Sequence, residues 1–301
     1  MLSAILPILL QPFTTLPIPP TGAFAGKTAI VTGGNTGLGL ETARHLLTHG
    51  ACRVIIAVRN PTKGEAARVS LAKTNGVPKD AQVEVWDLNL SSFASVKAFC
   101  TKAAALDNID YLFLNAGVAT STYSTTPDGW EQTLQVNVLS TALIALLLLP
   151  KLVAQSRTKE SSPDSDFPRI IITSSSLHGV APFHERKDAN CLNLINSQEN
   201  FEGHADPVEQ YMTTKLFDVY VAREIARTIP HAAGKPLVLV TSVDPGLCRS
   251  ELQREGLPFP MNLLLRFFGL TCEYGSRNLL AAATGGIETQ GGYFSRAKMT
   301  K

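Results

Sequence analysis

The stretch Thr32-Gly33-Gly34-Asn35-Thr36-Gly37-Leu38-Gly39 constrains this chain more than any other. The run 27–32 before it is β-branched and reads as a buried strand, and 40–49 after it carries apolar residues at helical spacing. A strand that turns through glycines straight into a helix leaves free backbone N–H groups at the positive end of the helix dipole. That is a place for a phosphate. The spacing over Gly33, Gly37 and Gly39 is G-x-x-x-G-x-G, which departs from the G-x-G-x-x-G dinucleotide fingerprint. Taken alone, it also fits a tight structural turn.

The rest of the chain continues the alternation. Segments 53–58, 82–86, 109–114, 169–173 and 236–243 read as further strands, with a last short one at 292–295. Helices are expected over 61–73, from a Ser91 or Ser92 cap to about Leu106, from an Asp128 cap to about Ala154, and over 209–228 and 273–284. This pattern predicts one α/β unit, a Rossmann-type doubly wound parallel sheet of about seven strands with helices on both faces. Residues 24–301 form that domain, and 1–23 an apolar, Pro-rich arm. Three segments stand outside the alternation: a polar, Ser- and Pro-rich surface insert at 155–168, an excursion without clear period at 177–207, and an apolar segment at 247–270.

Composition narrows the function. At 45% hydrophobic and 17% charged residues the chain has the balance of a globular protein with a core. Its 27 basic and 25 acidic residues are interspersed, for a net charge of +2, which argues against a nucleic-acid partner. Five widely spaced cysteines form no C-x-x-C and six histidines no ligand spacing, so no metal is assigned. Buried thiols in a reducing, cytoplasmic compartment are expected. The apolar run 2–10 is shorter than the roughly 20 residues of a spanning helix and has no basic start. The arm is therefore expected to be flexible or packed on the surface, with loose membrane contact as the alternative. The apolar run 139–149 reads as a buried helix.

In a doubly wound sheet, ligands lie outside the carboxyl ends of the strands. The glycine turn follows the first strand, Arg59 the second, Asp87-Leu88 the third, Asn115-Ala116-Gly117 the fourth, Ser175 the fifth and Asp244-Pro245-Gly246 the sixth. About 20 residues after the glycines, an acid suits the ribose 2′-hydroxyl of NAD and an Arg the 2′-phosphate of NADP. Here the residue is Arg59, with Lys63 close behind, and NADP(H) is favoured. Tyr211 and Lys215 stand four apart on an expected helix and share one face. A cation one turn away is expected to bring the phenol pKa down, making Tyr211 a general acid or base. By itself, Y-x-x-x-K is a common structural pattern.

Together these residues resemble the short-chain dehydrogenase/reductase family, from about Phe24 to Ser295. The likeness rests on T-G-x-x-x-G-x-G at 32–39, Asn115-Ala116-Gly117, Asn137 in the following helix, Ser175 after the fifth strand, Tyr211 with Lys215, and Pro245-Gly246. It implies Tyr211 as proton donor or acceptor and Ser175 as the hydroxyl that holds the substrate carbonyl. Lys215 would be ribose ligand and pKa-lowering cation, and Asn137 would hold a water in a proton relay. The cofactor would lie on Gly33, Asn35, Thr36, Gly37, Leu38, Gly39, Arg59, Lys63, Asp87, Leu88, Asn115, Ala116, Gly117, Tyr211, Lys215, Pro245 and Gly246. Family members often dimerise through the helices around Asn137 and Tyr211, so a homodimer is implied.

Two departures sharpen the resemblance. A long insert separates Ser175 from Tyr211, as in the retinol-dehydrogenase-like branch and the fungal reductases of natural-product pathways. The triple Ser174-Ser175-Ser176 blurs which hydroxyl acts; register favours Ser175, then Ser174. The implied activity is NADPH-dependent reduction of a carbonyl, or the reverse alcohol oxidation. Phe259, Met261, Leu263, Leu264, Phe267 and Phe268 point to a lipophilic substrate, ordinary packing being the alternative. Other readings are a cofactor-binding scaffold or sensor with little turnover, and an epimerase or dehydratase on the same fold. The substrate, its stereochemistry and the direction of reaction are not legible in the sequence.

Overall fold

The computed structural model describes Gln11 and residues 14–158, 167–204, 206, 208–250, 252 and 267–300. The first strand, β1 (Thr28–Thr32), turns through the glycines into α1 (Gly37–Thr48). Next come β2 (Arg53–Val58), α2 (Pro61–Ala72), β3 (Gln82–Asp87), α3 (Phe93–Ala104) and β4 (Tyr111–Leu114). One continuous helix, α4, follows as an α-turn (Gln132–Leu134), a π-helical turn (Gln135–Leu139) and the α-helix Ser140–Thr158. After β5 (Arg169–Thr173) the excursion folds into 3-10 turns and two short helices, α5 (Cys191–Ile195) and α6 (Gln198–Gly203). Helix α7 (Val208–Thr228), a two-residue ribbon of β6 (His231–Ala232) and β7 (Lys235–Pro236), and β8 (Leu239–Asp244) follow. The described chain closes with α8 (Cys272–Thr284), β9 (Tyr293–Ser295) and β10 (Lys298–Thr300).

Eight strands form one sheet in the order β10-β9-β8-β5-β4-β1-β2-β3, parallel except for β10. The sheet is the expected doubly wound one; the strand not foreseen is β10, which folds back on β9. The reversal of strand order lies between β1 and β4. Both faces are covered, and the pleat sorts the side chains of β1: Ile30 packs on α3, α4 and α7, whereas Ala29 and Val31 pack on α1, α2 and α8. Because both faces are buried, these strands read as unbroken apolar runs.

Three local expectations are corrected. Glu131, not Asp128, caps α4, its carboxylate accepting from Thr133 N at 2.7 Å and Leu134 N at 2.8 Å. Asp128 accepts instead from Phe93 N, the first residue of α3, and from Gln135 Nε2, both at 2.7 Å. It ties two helices together rather than starting one. Pro236 belongs to the β6–β7 ribbon, and β8 begins only at Leu239. The five cysteines are all free, but only Cys100 is fully buried and Cys52 is exposed.

Helix Gln132–Thr158 is long and apolar enough to cross a membrane, and half of its apolar window is buried inside the fold. Of the apolar segment, Phe259, Met261, Leu263 and Leu264 lie outside the described residues, as does most of the 155–168 insert.

Candidate active site

The glycine turn builds the floor of a cavity of about 310 Å³ at the carboxyl edge of β1, β2 and β4. A side chain at Gly39 would put its Cβ 2.4 Å from the Gly33 carbonyl oxygen, so only glycine lets the turn fold this tightly. Thr36 stands at the N-cap of α1 without a side-chain capping bond, and the first turn carries no acid. The N–H groups at this helix start suit an anion.

Thr32 and Asn115 hold the two strands at the switch point. Thr32 Oγ1 accepts from Asn115 N at 2.9 Å and Ala116 N at 3.0 Å, and Asn115 Nδ2 donates to Thr32 O at 3.1 Å. The Asn115 side chain is thus engaged in joining β4 to β1. Gly33, Asn35, Thr36, Gly37, Leu38 and Arg59 line the cavity, with Leu88 and residues 115–117 opposite them. Arg59 is exposed, and among the described residues its guanidinium has no hydrogen bond or ion pair. Gly39, Lys63, Asp87, Tyr211, Lys215, Pro245 and Gly246 are not part of its lining. The cavity also takes in Asn89, Ser250 and Leu252, which the sequence did not single out.

The acid–base candidates meet beside Gly117. A Cβ on that glycine would sit 3.1 Å from Asn137 Oδ1 and 3.7 Å from Lys215 Nζ, so both residues stand just behind the Gly117 part of the cavity wall. The π-helical turn carries Asn137 inward, a distortion that recurs at functional sites. Its carboxamide is bonded at both ends: Oδ1 accepts from Val118 N at 2.8 Å, and Nδ2 donates to Val118 O at 2.9 Å and Thr214 Oγ1 at 3.1 Å.

The three serines separate by what they bond. Ser174 is buried and its hydroxyl donates to Lys215 O at 2.8 Å, fixing α7 to β5. Ser175 is half-buried and caps the 3-10 turn that starts the excursion, accepting from Leu177 N at 3.3 Å, and its hydroxyl lies near enough to the Tyr211 phenol to draw the phenol pKa down. Ser176 is exposed. Lys215 Nζ lies 5.7 Å from the Tyr211 ring centre and donates to Thr173 O at 2.9 Å and Asp218 Oδ2 at 2.8 Å.

Electrostatics here differ from the simple expectation. Burial pushes the Tyr211 phenol above its ordinary value; Lys215 and the Ser175 hydroxyl draw it down, while Asp218 and Asp244 push it further up. The net direction is upward, so Lys215 moderates the shift rather than reversing it. Burial also works against the Lys215 charge, but Asp218 and Tyr211 hold its ammonium above the usual range. Asp218, buried and opposed by Lys215, is pushed up to about 6. Burial likewise raises Asp244, whose carboxylate accepts from Gly246 N at 2.9 Å and Ser295 Oγ at 3.1 Å. Asp218 was legible as the i+3 neighbour of Lys215 on the same helix face.

A family model described as short chain dehydrogenase matches residues 27–186. The short chain dehydrogenase sol3 of Alternaria solani is 37% identical over 289 residues, covering 96% of this chain and 95% of that protein. The chain belongs to the short-chain dehydrogenase/reductase family. The short chain dehydrogenase atnD of Emericella nidulans is similar to this reductase-family chain at 38% identity, covering 93% and 87% of the two chains. Among solved structures, the Pseudomonas aeruginosa RhlG/NADP active-site complex superposes with a TM-score of 0.66 at 22% identity, covering 92% of this chain and 97% of that one. A short-chain dehydrogenase from Sphingobium yanoikuyae in complex with NADPH gives 0.62 at 19% identity, covering 85% and 83%. At these identities the structural likeness speaks for the fold. Membership makes the chain an oxidoreductase that binds a nicotinamide cofactor.

Proposed function

We propose that this short-chain dehydrogenase/reductase is an NADPH-dependent reductase of a lipophilic ketone or aldehyde, working in a cytoplasmic, secondary-metabolic setting. The observation that carries the reading is that Lys215, which faces the Tyr211 ring, comes within 3.7 Å of where a Cβ on the cavity-lining Gly117 would be, while Arg59 lines the same cavity without a hydrogen bond or ion pair among the described residues. The glycine turn and the uncapped start of α1 suit a pyrophosphate, and Arg59 suits a 2′-phosphate. One domain, residues 24–301, would carry both functions.

NADPH supplies the hydride when bound. Ser175 would hold the carbonyl oxygen, and Tyr211, protonated at neutral pH because its pKa is raised, would give its proton to the developing alkoxide. Positioned acid catalysis of this kind gives roughly 10²–10⁴-fold. Lys215 would face both the phenol and the ribose. Asn137, whose carboxamide already bonds Val118 and Thr214, would hold a relay water through the acceptor capacity those bonds leave over. Exposed Leu146 and Leu147 on α4 and Tyr220 on α7 supply apolar surface for the implied homodimer.

The test is NADPH oxidation with a panel of lipophilic ketones. Tyr211→Phe should abolish nearly all turnover while NADPH still binds; unchanged turnover would falsify the assignment.

A further inference from the structure

The arm that precedes β1 reaches the mouth of the site. Gln11 is buried, and its carboxamide makes three hydrogen bonds to backbone remote in sequence. Nε2 donates to Leu247 O at 2.9 Å and Phe268 O at 2.8 Å, and Oε1 accepts from Leu247 N at 2.9 Å. These partners sit at the two ends of the apolar segment, which are themselves joined by Leu270 N to Leu247 O at 2.8 Å and Arg249 N to Leu270 O at 2.9 Å. The approach needs Gly246, whose φ is +82° and whose Cβ would lie 3.0 Å from Gln11 Oε1. The arm has a second anchor. Tyr274 Oη accepts from Leu16 N at 3.0 Å and donates to Thr14 O, and the Leu16 side chain is buried.

Three residues after Leu247, which Gln11 grips, Ser250 reaches the cofactor cavity. Ser250 and Leu252 line it, and Ser250 Cβ lies 3.7 Å from where a Cβ on Gly37 would be. We propose that Gln11 is a positioning residue: its carboxamide fixes the strap from Leu247 to Ser250 at the rim of the dinucleotide cavity, so the N-terminal arm governs how tightly the cofactor is held. The chemistry at this position calls for a carboxamide. It must donate to two carbonyls and accept from one N–H, and a carboxylate can only accept. The inference rests on the NADPH reading of the cavity.

The test uses the full chain with Gln11→Ala, Gln11→Glu and Tyr274→Phe. Amide hydrogen exchange is measured at Leu247 and Leu270, and NADPH affinity by the fluorescence of the bound nicotinamide. The expected result is at least tenfold faster exchange at both amides in Gln11→Ala and at Leu270 in Gln11→Glu, whose carboxylate still accepts from Leu247 N, with roughly tenfold weaker NADPH binding in both and the same pattern, smaller, in Tyr274→Phe. Unchanged exchange overturns the proposal, and so does faster exchange with wild-type NADPH affinity. Should the wild-type chain bind no NADPH, the cofactor reading falls, and the exchange comparison alone decides the positioning. If Gln11→Ala does not fold, Gln11→Glu, which keeps the size and the acceptor, carries the comparison.

Discussion

Lys215 Nζ stands 2.8 Å from Asp218 Oδ2 in a pocket where both side chains are almost fully buried. The lysine that would serve cofactor and phenol is thus already half-neutralised by a carboxylate one turn on. Breaking a buried pair by removing one partner typically costs about 3–5 kcal/mol. Asp218→Ala should destabilise the fold by an amount of that order in urea unfolding, whereas Asp218→Asn, which keeps an acceptor for Nζ, should cost less.

The pair also has a pH signature. The Asp218 carboxyl moves from 3.8 to about 6 on folding. Between those values the folded chain holds a proton that the unfolded chain has released, so this group's contribution to stability falls as pH rises through the window. Urea midpoints of wild type minus Asp218→Asn, followed from pH 4 to pH 7, should show that slope. A difference independent of pH would remove Asp218 as its source.

The neighbouring serines should separate cleanly. Ser174→Ala deletes a buried bond to Lys215 O and should lower stability by about 1 kcal/mol with turnover largely kept. Ser175→Ala should leave the thermal midpoint near wild type and lower kcat by about 10²-fold or more, the scale of losing one hydrogen-bond donor to a developing oxyanion. The reverse pattern would transfer the catalytic role to Ser174.

Arg59 should discriminate between the two nicotinamide cofactors. Hydrogen bonds to a charged group contribute about 1.5–3 kcal/mol, so Arg59→Ala should weaken NADPH binding by roughly 10- to 100-fold and NADH hardly at all. Equal losses for both cofactors in calorimetry would mean that Arg59 does not meet the 2′-phosphate.

Because the Tyr211 phenol is raised, carbonyl reduction should persist through neutral pH and decline only as pH rises through the phenol pKa. Alcohol oxidation, which needs the phenolate, should climb over that same alkaline limb. Removing the Asp218 carboxylate should move both limbs toward acid, since Asp218 is one of the groups pushing the phenol up. Unmoved limbs in Asp218→Asn would show that the carboxylate is not felt at the ring.

Much of the site was legible because it follows local rules. Gly33 to Gly39, Arg59 and residues 115–117 fall at strand ends, where a doubly wound sheet gathers its ligands, and Tyr211 with Lys215 share a face by helical period alone. Asp128 shows the limit of such rules. It has the right residue type just ahead of an apolar run, yet Glu131 lies where the helix starts, and Asp128 is drawn to Phe93 and Gln135 instead.

The sequence by itself determined the sheet, the order of its elements and the family, since strand and helix periods and the glycine spacing are carried by neighbours in the chain. Only the tertiary structure decided which of three serines lies beside Tyr211, that the Lys215–Asp218 pair is buried, and that an arm reading as a loose appendage grips the segment beside the cavity. The first two depend on burial and the third on partners distant in sequence, 257 residues apart for Gln11 and Phe268 and 260 for Thr14 and Tyr274. Desolvation and long-range hydrogen bonds exist only once the chain has packed.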